Sequence, residues 1–318
     1  MAPRLVLIHG IGGPGQAEVD RKRWISALAK GARDAGHSEA AESLEKGTLA
    51  EVTLAYYGHL FARTGEQGAG TEDLAEDEAL VLTELLADMA RALTDTQDGP
   101  SAATLERVVA QLEPSGEAEG AGDLVRRAIN AATTLLGAGP WGSAGQWAGG
   151  KFLVRDLAQV ARYLTRGEPD GSGRSIDARI RDVIADALGP APALVVAHSL
   201  GSVVAFETLH EHACSVPLWV TLGSPLAMRA VVWPKVRPQP PTTPDKVVRW
   251  LNFWDRDDII TARPILESDV RASAVGVSPR SIRVDSDGLW VHSATKYLAK
   301  ADVAGPVMEA LSRLISSA

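Results

Sequence analysis

The chain has one cysteine, Cys214, so it cannot form an intrachain disulfide framework, and a reducing, cytoplasmic setting is expected. It lacks a charged leader followed by an apolar run and a cleavage site; an apolar strand begins almost directly after Met1. No apolar stretch is long enough to span a bilayer, so no membrane span is expected. Neither His-Glu-x-x-His nor Cys-x-x-Cys occurs, and His210, His212 and Cys214 lie two apart, on different sides of any helix that carries them. No bound metal is expected. Positive charge is outnumbered, 32 Lys and Arg against 40 Asp and Glu. The net charge is −8, and residues 64–120 hold 14 acidic side chains against 2 basic ones, a difference of −12. Nucleic acid and anionic bilayers are disfavoured partners for that face, although solubility alone accounts for such a run.

The strongest positive feature is residues 193–209, Ala-Leu-Val-Val-Ala-His-Ser-Leu-Gly-Ser-Val-Val-Ala-Phe-Glu-Thr-Leu. Leu194 to Ala197 is a short apolar run that suits a buried strand, and Ser202 to Leu209 can continue as a helix. Ser199 then stands on a sharp strand-to-helix turn. Such a turn lifts the Oγ clear of the backbone and aims a helix N-terminus at the same point. Gly201 fits because a Cβ there would crowd the strand or the helix. The usual pattern is Gly-x-Ser-x-Gly; Ala197 stands at its first position, where the demand is for a small side chain. The N–H of Leu200, the residue after the serine, is one expected oxyanion donor.

A second strand-and-glycine segment opens the chain, Arg4-Leu-Val-Leu-Ile-His-Gly-Ile-Gly-Gly-Pro-Gly. It matches the dinucleotide fingerprint Gly-x-Gly-x-x-Gly literally. The next strand, Glu51 to Tyr57, ends in Tyr-Tyr-Gly and offers no acidic residue for a ribose, and Pro14 stiffens the loop. No nicotinamide or other cofactor is expected.

Together residues 4–13, 193–224 and 247–298 resemble the α/β-hydrolase superfamily, in its lipase-like and inositol-deacylase-like flavour; Thr221-Leu-Gly-Ser-Pro-Leu is similar to a segment common in those lipases. The resemblance implies an α/β fold of about six mostly parallel strands, read at 4–9, 50–57, 193–198, 218–223, 247–253 and 281–284, with helices on both faces. It also implies the chain order nucleophile, acid, histidine. Of seven histidines only His292 follows the acid candidates, so it is the expected base. Asp255, Asp257 and Asp258 follow the 247–253 strand. Asp257-Asp258-Ile259-Ile260 gives an Asp-x-apolar-apolar pattern that resembles the family's acid loop, which favours Asp257, with Asp255 the alternative and the remaining carboxylate a solvated or turn-capping residue. The His-Gly signature implies Ile11 as the second oxyanion donor.

Residues 60–150 match nothing in that family and read as a helical insertion between core segments 1–59 and 151–318. Leu82, Leu85, Leu86, Met89 and Leu93 form one apolar stripe; Leu105, Val108, Val109 and Leu112 form another. A third helix is expected from Asp123, and further helices over 151–164 and 175–188. Stripes of this kind need a surface to rest on, and the C-terminal edge of the sheet above Ser199 is the expected seat, which makes the insertion a cap. Trp141 and Trp147 are either two buried indoles in a packed segment or an aromatic wall over the site; with His198 they are the expected substrate-binding residues. Trp233 to Pro244, with five prolines, reads as a stiff loop that either shapes the pocket or connects elements. The expected activity is hydrolysis of a small or lipid-like carboxylic ester through Ser199, Asp257 and His292. Thioester or amide cleavage, acyl transfer to an alcohol, and a binding module on the same fold are the alternatives.

Overall fold

The computed structural model describes residues 2–11, 17–61, 74–94, 102–113, 120–138, 146–167, 173–261, 263–286 and 291–316. The chain divides into two compact units. The first comprises Met1–Tyr57, Ile180–Ala227 and Val236–Ala318 and contains one sheet. Its strands are β1 (Arg4–Ile8), β2 (Glu51–Ala55), β3 (Ala193–His198), β4 (Trp219–Leu222), β5 (Trp250–Asp255) and β6 (Pro279–Val284), in the order β2-β1-β3-β4-β5-β6. Every pairing is parallel, where the sequence suggested mostly parallel. The central strands read as continuous apolar runs because helices cover both of their faces. The order reverses at β1: β2 lies on one side of it and β3 on the other. That crevice at the strands' C-terminal ends is where open α/β sheets place their ligands.

Strand alternation sets the two faces. Leu5 and Leu7 of β1, Leu194 and Val196 of β3, Val220 and Leu222 of β4, and Leu251 and Phe253 of β5 form one buried cluster. It includes Trp24 and Leu28 of α1 (Ala17–Asp34), Ala41 and Leu44 of α2 (Ser38–Glu45), Tyr297 of α10 (Ala294–Leu298), and Val303, Val307 and Leu311 of α11 (Ala301–Ser316). On the other face, Phe206 of α8 (Leu200–Glu211) meets the stacked pair Trp219 and Trp250, whose ring centroids are 4.0 Å apart. Helix α8 is buried along Leu200–Leu209, so it presents no polar face and must sit against the sheet.

The second unit comprises Gly58–Arg179 and Met228–Lys235. It contains α3 (Glu76–Thr94), α4 (Ala102–Leu112), α5 (Ala121–Ala138), α6 (Gln146–Thr165), the first turn of α7 (Ile176–Leu188) and the short α9 (Val232–Lys235). The expected division at residue 150 differs from this: α6 packs on α3 and α5 and belongs with the helices. The stripes read from the sequence are real, and Leu82, Leu85, Leu86, Met89, Leu105, Val108 and Leu112 are buried. They rest on one another, because α3, α4, α5 and α6 pack together. The premise that these stripes require the sheet edge is therefore corrected: a four-helix array supplies its own core. Helix α9 takes in Pro234, which a first helical turn tolerates, so the proline-rich loop is not wholly irregular. No helix among the described residues is long and apolar enough to cross a membrane.

Candidate active site

The site is assembled by the exits of β1, β3, β4 and β5. Ser199 follows β3 and precedes α8, with φ 53° and ψ −131°. A non-glycine residue rarely holds a positive φ, at a cost of about 1–3 kcal/mol, so neighbouring contacts must enforce the turn. They do. Ser202 Oγ donates to the Ser199 carbonyl at 2.6 Å, and Ser224 Oγ, at the exit of β4, lies 2.7 Å from Ser202 Oγ. A Cβ on Gly201 would come within 2.5 Å of the His9 carbonyl and 2.8 Å of that of Ile8. Only glycine lets α8 start this close to β1, and the crowding falls on a neighbouring strand's exit rather than on the strand or helix that flanks Ser199.

The side chain of His292 joins the serine to a carboxylate. Its Nδ1 is 2.7 Å from Asp258 Oδ2 and its Nε2 is 2.9 Å from Ser199 Oγ. A carboxylate oxygen can only accept, so Nδ1 carries the proton; in the neutral ring Nε2 then accepts from the serine hydroxyl. That is the tautomer a general base requires.

The carboxylate is Asp258, not the expected Asp257. The difference is one turn. Strand β5 runs two residues beyond Phe253, to Asp255, and the Asp258 N–H bonds back to the Asp255 carbonyl at 3.1 Å. This reverses the chain, buries the Asp258 side chain, and leaves the Asp257 side chain 43% exposed beside Arg256. Asp255 is buried but occupied with the loop: its carboxylate accepts the N–H groups of Asp257 and Ser286. Asp258 Oδ1 accepts the Ile260 backbone N–H at 3.0 Å, so a main-chain bond within its own turn holds this carboxylate.

Leu200 opens α8, and its N–H is among those that find no acceptor within their own helix. A Cβ placed on Gly10 would lie 2.7 Å from Ser199 Cβ and 3.2 Å from Leu200 N, so the loop leading to Ile11 lies alongside the elbow. Tyr57 donates to the Gly10 carbonyl at 2.6 Å and pins that loop. This gives the Tyr-Tyr-Gly exit of β2 a role that the sequence reading missed.

His198 turns inward and is corrected as a substrate-binding residue. It is buried, and its Nε2–H donates to the His292 carbonyl at 2.9 Å, with the two rings 4.7 Å apart. Burial, and then the neighbouring His292 and His9, drive its pKa well below the ordinary histidine value, so it stays neutral and holds the backbone of His292. Burial likewise lowers His9 to about 4; its ring lies 4.9 Å from that of Tyr56. Trp141 and the remainder of the first glycine-rich loop lie outside the described residues; Trp147 falls within α6, but its side chain also lies outside them. Among the described residues no group of His, Cys, Asp and Glu is arranged to hold a metal ion. His210 instead donates to the Thr242 carbonyl, and His212 accepts the Cys214 N–H.

Comparison with protein-family models, curated proteins and solved structures finds no match to this chain.

Proposed function

We propose that this protein is a serine hydrolase that cleaves a carboxylic ester by acyl transfer to Ser199. One observation carries the reading: a single imidazole, His292, lies within hydrogen-bond distance of both Ser199 Oγ and the buried Asp258 carboxylate. In the proposed reaction His292 Nε2 takes the hydroxyl proton as Oγ bonds to the ester carbonyl carbon. The N–H groups of Leu200 and Ile11 face the oxygen that becomes negative. The proton passes from Nε2 to the departing alcohol, the C–O bond breaks, and an acyl-serine remains. Water repeats the sequence with the same base, releasing the acid and restoring Ser199. Asp258 holds the ring in the Nδ1–H tautomer and stabilises the imidazolium that forms.

A fluorophosphonate probe should label the chain once, on Ser199, as read by intact mass and peptide mapping; Ser199→Ala should remove both labelling and turnover. Oxyesters of graded chain length, thioesters and anilides, offered with and without an acceptor alcohol, separate ester hydrolysis from thioester, amide and transfer chemistry. No labelling near neutral pH sinks the reading and leaves the binding module.

The helical unit is proposed to govern which acyl groups reach Ser199. Support comes from connectivity: its segments leave the first unit after β2 and after β4. Trp141→Ala and Trp147→Ala should then alter acyl-length preference more than thermal stability. Unchanged selectivity in both, and in a folded deletion of 64–120, removes the proposal.

A further inference from the structure

The Asp258 carboxylate has a second donor on the oxygen that meets His292. Tyr297 Oη donates to Asp258 Oδ2 at 2.7 Å, and the Asp255 N–H donates to the same Oη at 3.0 Å. The phenol is therefore oriented: its one proton points at Asp258 because its lone pair is already engaged by a backbone donor. Tyr297 is fully buried in α10, one turn beyond His292, with its ring in the main core cluster. Burial and the adjacent Asp258 and Asp255 carboxylates push its own pKa far up, so it does not ionise and remains a donor.

We propose that Tyr297 is a positioning residue of the active site, which fixes Asp258 and divides the charge of Oδ2 between the phenol and His292. The proposal rests on the serine-hydrolase reading for its kinetic consequence and on geometry for the rest. A buried carboxylate needs its lone pairs satisfied. Oδ1 is met by the Ile260 N–H, and Oδ2 by His292 and Tyr297. With the phenol present, the carboxylate cannot rotate about its Cβ–Cγ bond without breaking one of three hydrogen bonds. The phenol also draws negative charge from Oδ2, so the Nδ1–H bond of His292 is weaker than it would be to an undivided carboxylate. Tyr297 spans β5's exit loop and the helix after His292, and so ties the acid to the element that carries the base.

Tyr297→Phe keeps the ring and removes only the hydroxyl. Two readouts then separate positioning from packing. The first needs no activity: the downfield proton NMR resonance of His292 Nδ1–H, assigned by its loss in His292→Gln. In Tyr297→Phe it should move further downfield as Asp258 concentrates on the imidazole. With 3-fluorotyrosine placed at 297, a stronger donor of nearly the same volume, it should move upfield. The second is the rate of fluorophosphonate labelling and of kcat, which should fall about tenfold in the Phe variant with KM little changed, the scale of a lost hydrogen bond to a charged group. A resonance that stays in place in both variants overturns the proposal, as does its absence in the unaltered protein. If Tyr297→Phe does not fold, the fluorotyrosine protein alone decides. A shifted resonance in a protein that no fluorophosphonate labels supports the role of Tyr297 and removes the hydrolase reading.

Discussion

Asp258→Asn should lower kcat by about four orders of magnitude with the fold intact, while Asp257→Asn should leave turnover almost unchanged. An amide at 258 offers Nδ1 either a carbonyl oxygen or an NH2 group. The Ile260 N–H keeps the amide oxygen in the Oδ1 position, so the NH2 group takes the place of Oδ2 and faces the ring; His292 moves to the Nε2–H tautomer and Tyr297 loses its acceptor. Its Nε2 then has no lone pair for the Ser199 proton. Asp257 has none of these contacts; it sits at the outside of the turn beside Arg256. Asp255→Asn is a different case. Its carboxylate receives the N–H of Asp257 in its own loop and that of Ser286 after β6, so its loss should reduce thermal stability and affect turnover only through the loop it ties to β6. Steady-state kinetics and melting curves on the three variants separate these roles. A collapse of kcat in Asp257→Asn with Asp258→Asn active would overturn the geometry described for this turn.

That turn also marks where the sequence stopped being legible. The strand, the serine and Gly201 could be read in order because each is a local demand: a buried strand needs an apolar run, and a helix that starts against a neighbouring strand needs a residue without Cβ. His292 followed from chain order. The carboxylate that meets His292 did not, because its identity depends on how far β5 runs. Two more strand residues and one turn separate Asp257 from Asp258, and no residue type in Trp-Asp-Arg-Asp-Asp announces them. Tyr297 and Tyr57 were out of reach for another reason. Their partners lie 39 and 47 residues away, and a tyrosine in an apolar helix or strand end reads as core until the fold brings a polar atom to its hydroxyl. The helices of the second unit show the same boundary. Periodicity gave each stripe, and Leu82, Leu85 and Leu86 are indeed inside, but periodicity cannot say which surface a stripe meets. The sequence places His198 at the substrate, but its ring packs beside those of His292 and Tyr297 and its Nε2–H meets the His292 carbonyl 94 residues away, a contact no local pattern announces.

Gly223→Ala should lower kcat by about a hundredfold or more while the protein still folds. The residue follows β4, in the segment Thr221-Leu-Gly-Ser-Pro-Leu, with φ +56°. A Cβ there would lie 2.8 Å from Asp258 Oδ2 and 3.0 Å from His292 Nδ1, the two atoms of the acid–base hydrogen bond. Neither can retreat easily: Asp258 is tied to Ile260 and Tyr297, and the backbone of His292 to His198. The imidazole is the group with most freedom, since it is the more exposed partner, so the methyl should displace it from Asp258 and from Ser199 together. Strain at a left-handed position adds about 1–2 kcal/mol of destabilisation, well short of what unfolds a domain of this size. Folding should survive because Ser224, the adjoining anchor of the elbow, keeps its bond to Ser202. The diagnostic result is loss of both turnover and fluorophosphonate labelling in a protein with a cooperative melt, which Ser199→Ala shares. Unlike that variant, Gly223→Ala keeps its nucleophile, so labelling should recover slowly at high probe concentration. Full activity in Gly223→Ala would mean that Asp258 and His292 do not meet at this glycine, and the arrangement on which the hydrolase reading depends would have to be abandoned.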